Sequence, residues 1–248
     1  MSSDYKYTAI IVEPRKHKAL EFVLNNVCEC LSNEWKIVLF HGIKNKEYSH
    51  LIVDKLNKKY NGRITLVFLN VVDLNSITYS EVFATKSIIY DYIYTDIFLV
   101  FQTDSMIIQK NAHLINDFLD YDYVGSPWTK SQFRPTMECD FIGNGGFSLR
   151  RKSKMLEIIE KVNWYEMEPF NYKLEDIFFS RKYSGIIVKK PEYNKALEFC
   201  QGEVFSENFF GCHQFWSLKN YNLPLYEHFI SVCPEMKILE DLQGVEQD

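Results

Sequence analysis

The stretch Ile97–Ile108, IFLVFQTDSMII, decides how the rest of the chain is interpreted. Residues 97–101 are apolar, and the polar residues 102–105 follow them directly. A short apolar run that ends at an acid is typical of the carboxyl end of a buried parallel strand. Ligands of open α/β sheets bind outside those ends. Asp104 could therefore hold a divalent cation that clamps a diphosphate, or it could simply cap the next segment as a turn aspartate.

Size and charge suit an ordinary globular protein. The chain has 248 residues, of which 46% are hydrophobic and 25% charged, so it can bury a sizeable core. The formal net charge is −5, and no basic block or stripe occurs. Nucleic acid is therefore not expected as a principal partner.

Cysteine spacing and hydropathy indicate a reducing compartment. The six cysteines are scattered and contain no CxxC pair, which argues against a structural zinc site and against a disulfide framework. The N-terminus, MSSDYKYTAIIVEP, lacks the apolar region of a signal peptide, and no run of about 18 apolar residues predicts a membrane span. We expect a cytoplasmic protein.

The N-terminal part of the chain alternates strands and helices. Strands are predicted at 7–12, 35–40 and 64–69, with helices at 18–31 and 49–60 between them. This order with short joints is typical of a parallel sheet with right-handed crossovers. Neither GxGxxG nor GxxxxGK[ST] is present, which argues against a dinucleotide fold and a P-loop. A further helix over 80–94 leads into the strand before Asp104.

The second informative stretch is FIGNGGFSLR at 141–150, which holds Gly143, Gly145 and Gly146. Clustered glycines permit positive φ and a close approach of the backbone to a ligand. The alternative is a tight hairpin turn at Asn144 and Gly145 with no ligand. The residues alone leave both interpretations open.

Two later motifs supply candidate catalytic and metal-binding groups. Glu175 and Asp176 stand at the start of an apolar helical segment, where a carboxylate could act as a general base or merely stabilise the helix N-terminus. His213 lies in NFFGCHQFW, at 208–216, and could be a ligand or a packed core histidine.

The remaining segments complete the predicted organisation. A helix is predicted at 112–119, a mobile loop at 129–137, a helix at 152–162 and a short strand at 186–188. The tail beyond Tyr226 is acidic and is expected to fray at its end. We expect one domain, with a nucleotide-binding half at about 5–110, an acceptor-side half at about 111–225 and a C-terminal tail at 226–248.

Taken in order, five strings are more specific than any one of them: FQTDSMI, YDYVGSPW, GNGGFSLR, LEDIFF and FGCHQFW. Together they resemble a family of glycosyltransferase-like proteins labelled as a domain of unknown function and found in bacteria and giant viruses. The N-terminal strings VEPRKHKALEFVLNN and WKIVLFHG also resemble that family. The resemblance covers about residues 7–216. It implies a GT-A-like, Rossmann-like α/β fold with a mixed, mainly parallel sheet flanked by helices.

The resemblance also implies a cation site. FQTD takes the place of the DxD metal motif of GT-A enzymes, with Asp104 at its last aspartate and Thr103 between the two acidic positions. Gln102 replaces the first aspartate, so cation affinity could be reduced, or Gln102 could bind the ribose instead. His213 resembles the late histidine that completes the metal site, and Mn²⁺ (or Mg²⁺) is the implied cofactor.

Further site residues follow from the same resemblance. Asp176, with Glu175 as second choice, resembles the xED acid that deprotonates the acceptor hydroxyl in inverting enzymes. The segment Gly143, Asn144, Gly145 and Gly146 resembles the glycine-rich lining of the donor and acceptor pocket. Two sets of less specific candidates could contact the donor: Trp128 and Trp216 by stacking, and Tyr79 and Lys86 at the phosphates.

The implied activity is the metal-dependent transfer of a sugar from a UDP-sugar to a hydroxyl of a glycan, protein or small molecule, with inversion at the anomeric carbon. If the chain is viral, the host cytoplasm is the expected location. The alternative suggested by Gln102 is a catalytically weak or inactive protein that binds sugar nucleotide or glycan. A nucleotidyltransferase is less favoured, because a basic glycine-rich loop is missing after the first strand.

Overall fold

The structure is a computed structural model, and it describes residues 5–128, 142–167, 173–202, 206 and 208–246. The predicted mobile loop at 129–137 lies outside the described residues. The strands are β1 Tyr7–Val12, β2 Trp35–His41, β3 Ile64–Phe68, β4 Ile97–Val100, β5 Ser105–Ile107, β6 Tyr123–Pro127, β7 Ile142–Arg151, β8 Cys200–Gln201 and β9 Gly211–His213. The helices are α1 Leu20–Cys30, α2 Lys46–Lys59, α3 Ser76–Ala84, α4 Ile89–Tyr92, α5 Lys152–Lys161, α6 Glu175–Ser180, α7 Tyr193–Leu197, α8 Leu218–Tyr221, α9 Leu223–Val232 and α10 Glu235–Asp241.

A six-stranded mixed sheet with the order β3-β2-β1-β4-β7-β6 forms the centre of the molecule. The strands from β3 to β4 pair in parallel, whereas β7 runs antiparallel to both of its neighbours. The predicted mainly parallel α/β sheet is therefore confirmed. Buried apolar side chains form one cluster on each face of this sheet, which explains why the strand sequences are apolar almost throughout.

A smaller three-stranded sheet, β5-β9-β8, joins the chain that follows the β4–β5 loop to the strand that ends at His213. In this sheet β5 pairs antiparallel with β9, and Ser105 lies opposite His213. A packed cluster of Phe147, Phe199 and Phe210, with ring centroids 5.5–5.6 Å apart, buries one side of these strands. The pairing places Asp104 and His213 side by side, although they are far apart in the sequence.

Strand β7 passes straight through the glycine-rich segment. Its pairing with β6 includes Asn144, so the hairpin-turn alternative for Asn144 and Gly145 is wrong. The register shifts after Gly125, where a Cβ would lie only 2.2 Å from the carbonyl oxygen of Asn144. The glycines are thus part of a strand that neighbouring groups approach closely from both sides. Close approach of another group is one of the roles that glycine has inside a strand.

The structure corrects three local predictions. The helix predicted over 80–94 is broken after Ala84, because the Thr85 and Ser87 hydroxyls donate to the carbonyl oxygens of Glu81 and Val82. The segment predicted as a helix at 112–119 is a 3₁₀ helix, Gln109–Phe118. The strand predicted at 186–188 is reduced to an isolated bridge between Tyr183 and Ile186.

The C-terminal tail packs on the rest of the protein as far as the structure describes it, to residue 246, and the end at which fraying is expected lies outside the described residues. Helix α10 buries Met236 and Leu239 completely. Beyond it the Gln243 amide donates to the carbonyl oxygen of Thr103 at 3.0 Å, and Val245 forms a bridge with His17. Two apolar side chains one helical turn apart thus place this short helix against the core.

Arg63 fixes the C-terminal end of α1 from inside the protein. Its guanidinium, which is 4% exposed, donates to the carbonyl oxygens of Trp35, Cys28 and Leu31, each at 2.8 Å, and also to Ser32. The last carbonyls of a helix have no partner within the helix, so a buried cation that bonds several of them takes the role of a cap.

Replacement of Arg63 by alanine is expected to lower the free energy of unfolding by about 3 kcal/mol, because several buried carbonyls lose their donor at once. The measurement is urea denaturation followed by circular dichroism. Lys55→Ala is the control, since Lys55 makes only an exposed ion pair with Glu21. Equal denaturation midpoints for the two variants would contradict the capping role.

Candidate functional site: a cleft at the carboxyl ends of the sheet

A cleft of about 330 Å³ lies at the carboxyl ends of β1 and β4. Its walls come from the loop after β1, the start of α3, the loop between β4 and β5, the glycine segment of β7, the start of α6 and the end of β9. Most of the predicted site residues meet here: Gln102, Thr103, Asp104, Asn144, Gly146, Glu175, Asp176 and His213. The parallel strands of the sheet explain the location, because their carboxyl ends share one edge.

One side-chain nitrogen and two side-chain oxygens lie close together in the cleft. The Nε2 atom of His213 lies 3.3 Å from Oδ1 of Asp104 and 3.3 Å from Oε1 of Gln102. Oδ1 of Asp104 is buried and has no hydrogen-bond partner among the described residues. Nε2 of His213 is therefore within hydrogen-bond distance of the Gln102 amide, and it forms an ion pair with Asp104 when the imidazole is protonated.

The electrostatics of this pair favour an ionised aspartate. Burial raises the pKa of Asp104, but the charge of His213 and the hydrogen bond from Gln214 outweigh burial, so that the pKa is lowered overall. Burial lowers the pKa of His213, but the Asp104 carboxylate outweighs it, so that this pKa is raised. The carboxylate is thus held in the form that can bind a cation, whereas the imidazole can bind one only after it loses the proton that this pairing favours.

Gly146 lets the backbone of β7 approach His213 and Gln102 closely. A Cβ at this position would lie 2.1 Å from Nε2 of His213 and 2.7 Å from Oε1 of Gln102. Any other residue would therefore displace these two side chains.

These observations allow a test of whether a divalent cation fits. Adjacent ligands around an octahedral Mg²⁺ are about 3 Å apart, given metal–oxygen distances of about 2.1 Å, and Mn²⁺ accepts the same oxygen and imidazole donors. The 3.3 Å separations and the carboxylate oxygen without a hydrogen bond among the described residues agree with such a site. Among the described residues, no group of three or more His, Cys, Asp or Glu side chains that could hold a metal ion occurs, and here the acid and the imidazole have the Gln102 amide beside them in place of a further acid.

Glu175 and Asp176 have different surroundings. Oε1 of Glu175 accepts a hydrogen bond of 2.8 Å from Arg150, which is fully buried and lies against the rings of Phe83 and Tyr123. Gly145 packs behind this ion pair, since a Cβ there would be 2.2 Å from Oε1 of Glu175. Glu175 therefore acts as the counter-ion of Arg150, and Gly145 makes space for the pair rather than lining the cleft.

Asp176 is the carboxylate with the properties of a base. Oδ1 accepts from the backbone N–H of Ile177 at 2.7 Å, and Oδ2 accepts a longer bond of 3.4 Å from the N–H of Gly145. Burial, together with the negative charge of Glu175, raises the pKa of Asp176 to about 7. A carboxylate with a pKa near neutrality can take a proton and release it again under physiological conditions.

Several wall residues were not identified as site residues from the sequence, among them Glu13 and Arg15. Glu13, directly after β1, is buried and accepts two hydrogen bonds of 2.8 Å from the Arg15 guanidinium. The Thr103 hydroxyl lies 3.3 Å from Oε2 of Glu13, which ties the loop between β4 and β5 to β1. The position of Glu13 and Arg15 after the first predicted strand was the signal that could have found them.

Other candidates from the sequence lie at a second cleft beside the first one or in the wall of the first cleft. Trp128, Asn144, His213 and Ser217 line a second cleft of about 220 Å³ that shares its wall with the first. Gly143 lies under the Trp128 ring, where a Cβ would be 2.2 Å from the ring. Tyr79 lines the first cleft.

Two candidates from the sequence lie elsewhere. Lys86 is exposed at the break between α3 and α4 and is not among the residues that line either cleft. Trp216 is partly buried and packs against the apolar core. Neither position supports the donor contact expected from the sequence.

Comparison with solved structures defines the class of fold. The mannosyltransferase PcManGT from Pyrobaculum calidifontis, in complex with GDP-Man and Mn²⁺, is 12% identical over 76% of this chain and 55% of its own, with a TM-score of 0.51. The bifunctional glycosyltransferase WbbM, in its apo form, is 10% identical over 73% of this chain and 38% of its own, with a TM-score of 0.52. The fold is thus that of GT-A glycosyltransferases, and the chain spans about half or less of the length of these structures.

Sequence comparison gives the family. The family described as protein of unknown function (DUF5672) matches residues 63–213, which is more than half of the chain, and the chain belongs to it. A search of curated protein sequences returned no match. Among the described residues, no helix is long and apolar enough to cross a membrane.

The buried ion pair gives a test of the role assigned to Glu175. Arg150→Met should lower the free energy of unfolding by about 3 kcal/mol, because it leaves a buried carboxylate unpaired. Adding Glu175→Gln should recover part of this loss, since the buried charge is then gone. The measurement is a double-mutant cycle of thermal unfolding, and additive effects of the two substitutions would contradict the pairing.

Proposed function

We propose that the protein is a glycosyltransferase that moves a sugar from a nucleotide-diphosphate donor, a UDP-sugar, to a hydroxyl acceptor with inversion at the anomeric carbon. The observation that carries the proposal is the convergence of Asp104, His213 and Gln102 in a cleft that Asp176 also lines. A cation site and a base with a pKa near 7 are the two groups that such a transfer needs.

The cation would be Mn²⁺ or Mg²⁺, held by Oδ1 of Asp104, Nε2 of His213 and Oε1 of Gln102. When bound, it would neutralise the negative charge that develops on the departing diphosphate. Asp104 and His213 would fix the position of the cation, because His213 lies in the β5–β9 pairing and Asp104 directly precedes β5.

Asp176 would act at its Oδ2 atom, which has only a long hydrogen bond to the backbone. There it takes the proton of the acceptor hydroxyl while the acceptor oxygen forms a bond to the anomeric carbon. The bond from that carbon to the diphosphate oxygen breaks, and its electron pair leaves with the nucleotide diphosphate. Glu175 keeps its bond to Arg150 and adds negative charge that increases the basicity of Asp176.

The second cleft suits the acceptor. It offers an aromatic ring at Trp128 and small polar groups at Ser126 and Ser217, and it adjoins the first cleft at Asn144 and His213. Aromatic rings pack well on the apolar faces of sugars, and hydroxyls and amides can bond their polar edges. A glycan or another hydroxyl compound of similar size would therefore enter from this side.

Gln102 favours a second candidate function, namely a protein that binds sugar nucleotide or glycan with little or no turnover. A neutral amide brings less negative charge to the cation than the aspartate it replaces, so leaving-group stabilisation would be weaker. Tight binding of UDP without release of sugar, across a panel of UDP-sugars, would support this candidate over the transferase.

Binding of UDP together with Mn²⁺ is expected to raise the melting temperature of the protein. Ligand at about one hundred times its dissociation constant stabilises by about 2.7 kcal/mol, which corresponds to several degrees for a chain of this size. The measurement is differential scanning fluorimetry with UDP, with and without Mn²⁺.

Asp104→Ala should abolish the Mn²⁺-dependent part of the shift, and so should Gly146→Ala, whose added methyl group would displace the His213 side chain. Lys86→Ala is the matched control and should shift as the unmodified protein does. A shift that survives in Asp104→Ala would contradict the cation site.

The pH dependence of stability tests the environment of Asp176. Its pKa in the folded protein lies above the ordinary value of 3.8, so its ionisation removes stability as the pH rises from about 4 to about 7. Asparagine cannot ionise, and the melting temperature of Asp176→Asn minus that of the unmodified protein should therefore increase over this range. A difference that stays constant from pH 4 to pH 8 would show that this carboxyl is not perturbed.

The same variant tests the catalytic role. Transfer by the unmodified protein should fall as the pH drops below about 7, because the protonated base is inactive. Asp176→Asn should lose about 10²- to 10⁴-fold in turnover while it still binds UDP and Mn²⁺. Retained turnover with intact binding would contradict the role of Asp176 as base.

A further inference from the structure

Gln214, the residue that follows β9, has an unusual backbone conformation. Its φ and ψ are 48° and 34°, in the left-handed region. Among the described residues only Gln214 and Asn61 have a positive φ without being glycine. Such a conformation is disfavoured for a residue with a long side chain, and it tends to occur where a function requires it.

Gln214 holds Asp104 at two points. Its backbone N–H donates to the carbonyl oxygen of Asp104 at 3.0 Å, which continues the β5–β9 pairing by one residue. Its side-chain Nε2 donates to Oδ2 of the same aspartate at 2.7 Å. Glycine would adopt this backbone conformation more easily and would keep the first bond, but it could not make the second.

The side-chain bond determines which carboxylate oxygen is free. With Oδ2 bound to Gln214, Oδ1 is turned toward Nε2 of His213 at 3.3 Å and has no hydrogen-bond partner among the described residues. Without the amide, the carboxylate could rotate about its terminal bond, because that torsion has a broad preference.

We propose that Gln214 is a positioning residue of the cation site: its amide holds Oδ2 of Asp104 and thereby presents Oδ1 to the space shared with His213 and Gln102. Partners that orient metal ligands in this way commonly change cation affinity by about 10- to 100-fold when they are removed. This inference rests on the proposed function, since it assigns Gln214 to the cation site of that function.

Two substitutions separate the side chain from the backbone conformation. Gln214→Ala removes the amide and keeps the unfavourable left-handed backbone, whereas Gln214→Gly removes the amide and relieves the backbone as well. Asn61→Gly is the matched control, because Asn61 has a φ of 55° in the turn after α2 and does not line the cleft.

The measurement is the affinity for Mn²⁺ alone, from the electron paramagnetic resonance signal of free Mn²⁺, with no sugar donor present. Both Gln214 variants should bind Mn²⁺ about 10- to 100-fold more weakly than the unmodified protein, and Asn61→Gly should bind it equally well. Without Mn²⁺, both Gln214 variants and the unmodified protein should unfold cooperatively above the temperature of the binding assay, which shows that weaker binding does not come from unfolding. The melting temperature of Gln214→Gly should be no lower than that of Gln214→Ala, because glycine relieves the left-handed backbone.

The possible failures are distinguishable. If both Gln214 variants bind Mn²⁺ as the unmodified protein does, while Asp104→Ala does not bind it, the positioning role is overturned and the cation site stands. If Asn61→Gly weakens binding as much as the Gln214 variants, the effect is not specific to the amide and the positioning role is also overturned. If the unmodified protein binds no Mn²⁺, the cation site of the proposed function falls, and this inference falls with it.

Discussion

The antiparallel pairing of β5 with β9 is the interaction on which the candidate site depends. It sets Ser105 opposite His213, so that Asp104 and the imidazole share one wall of the cleft. The strands are short, but the packed rings of Phe147, Phe199 and Phe210 bury one side of them. A hydrophobic contact thus fixes the distance between two polar groups that lie more than a hundred residues apart in the sequence.

Glu175 and Asp176 illustrate how environment separates two adjacent carboxylates. Helix α6 begins at Glu175, and one residue further the side chain points in a different direction. Glu175 pairs with the buried guanidinium of Arg150, whereas the hydrogen bonds of Asp176 within the described part of the chain come from backbone N–H groups at the edge of the cleft. One carboxylate therefore neutralises a buried cation, and the pKa of the other is raised toward neutrality.

The cleft contains several features that cost stability in the folded protein. No group in the described part of the chain hydrogen-bonds to the buried Oδ1 of Asp104, Asp176 ionises unfavourably, and Gln214 adopts a left-handed conformation. Each feature would be costly in an ordinary core. These features are concentrated at one edge of the sheet, where α/β folds bind ligands. Their concentration is the strongest physical reason to regard this cleft as the candidate functional site.

The sequence by itself determined the layered α/β architecture, because the apolar runs of β1, β2 and β4 are long enough and continuous enough to specify buried parallel strands. The resemblance of its motifs to a known family indicated Asp104, Asp176 and His213, because the residues alone left a structural alternative for each of them. Only the tertiary structure decided that β7 runs through the glycine segment, that the tail is docked, and that Gln214 holds Asp104. These features arise from pairing and packing between distant segments, and no local pattern of residue types encodes such contacts.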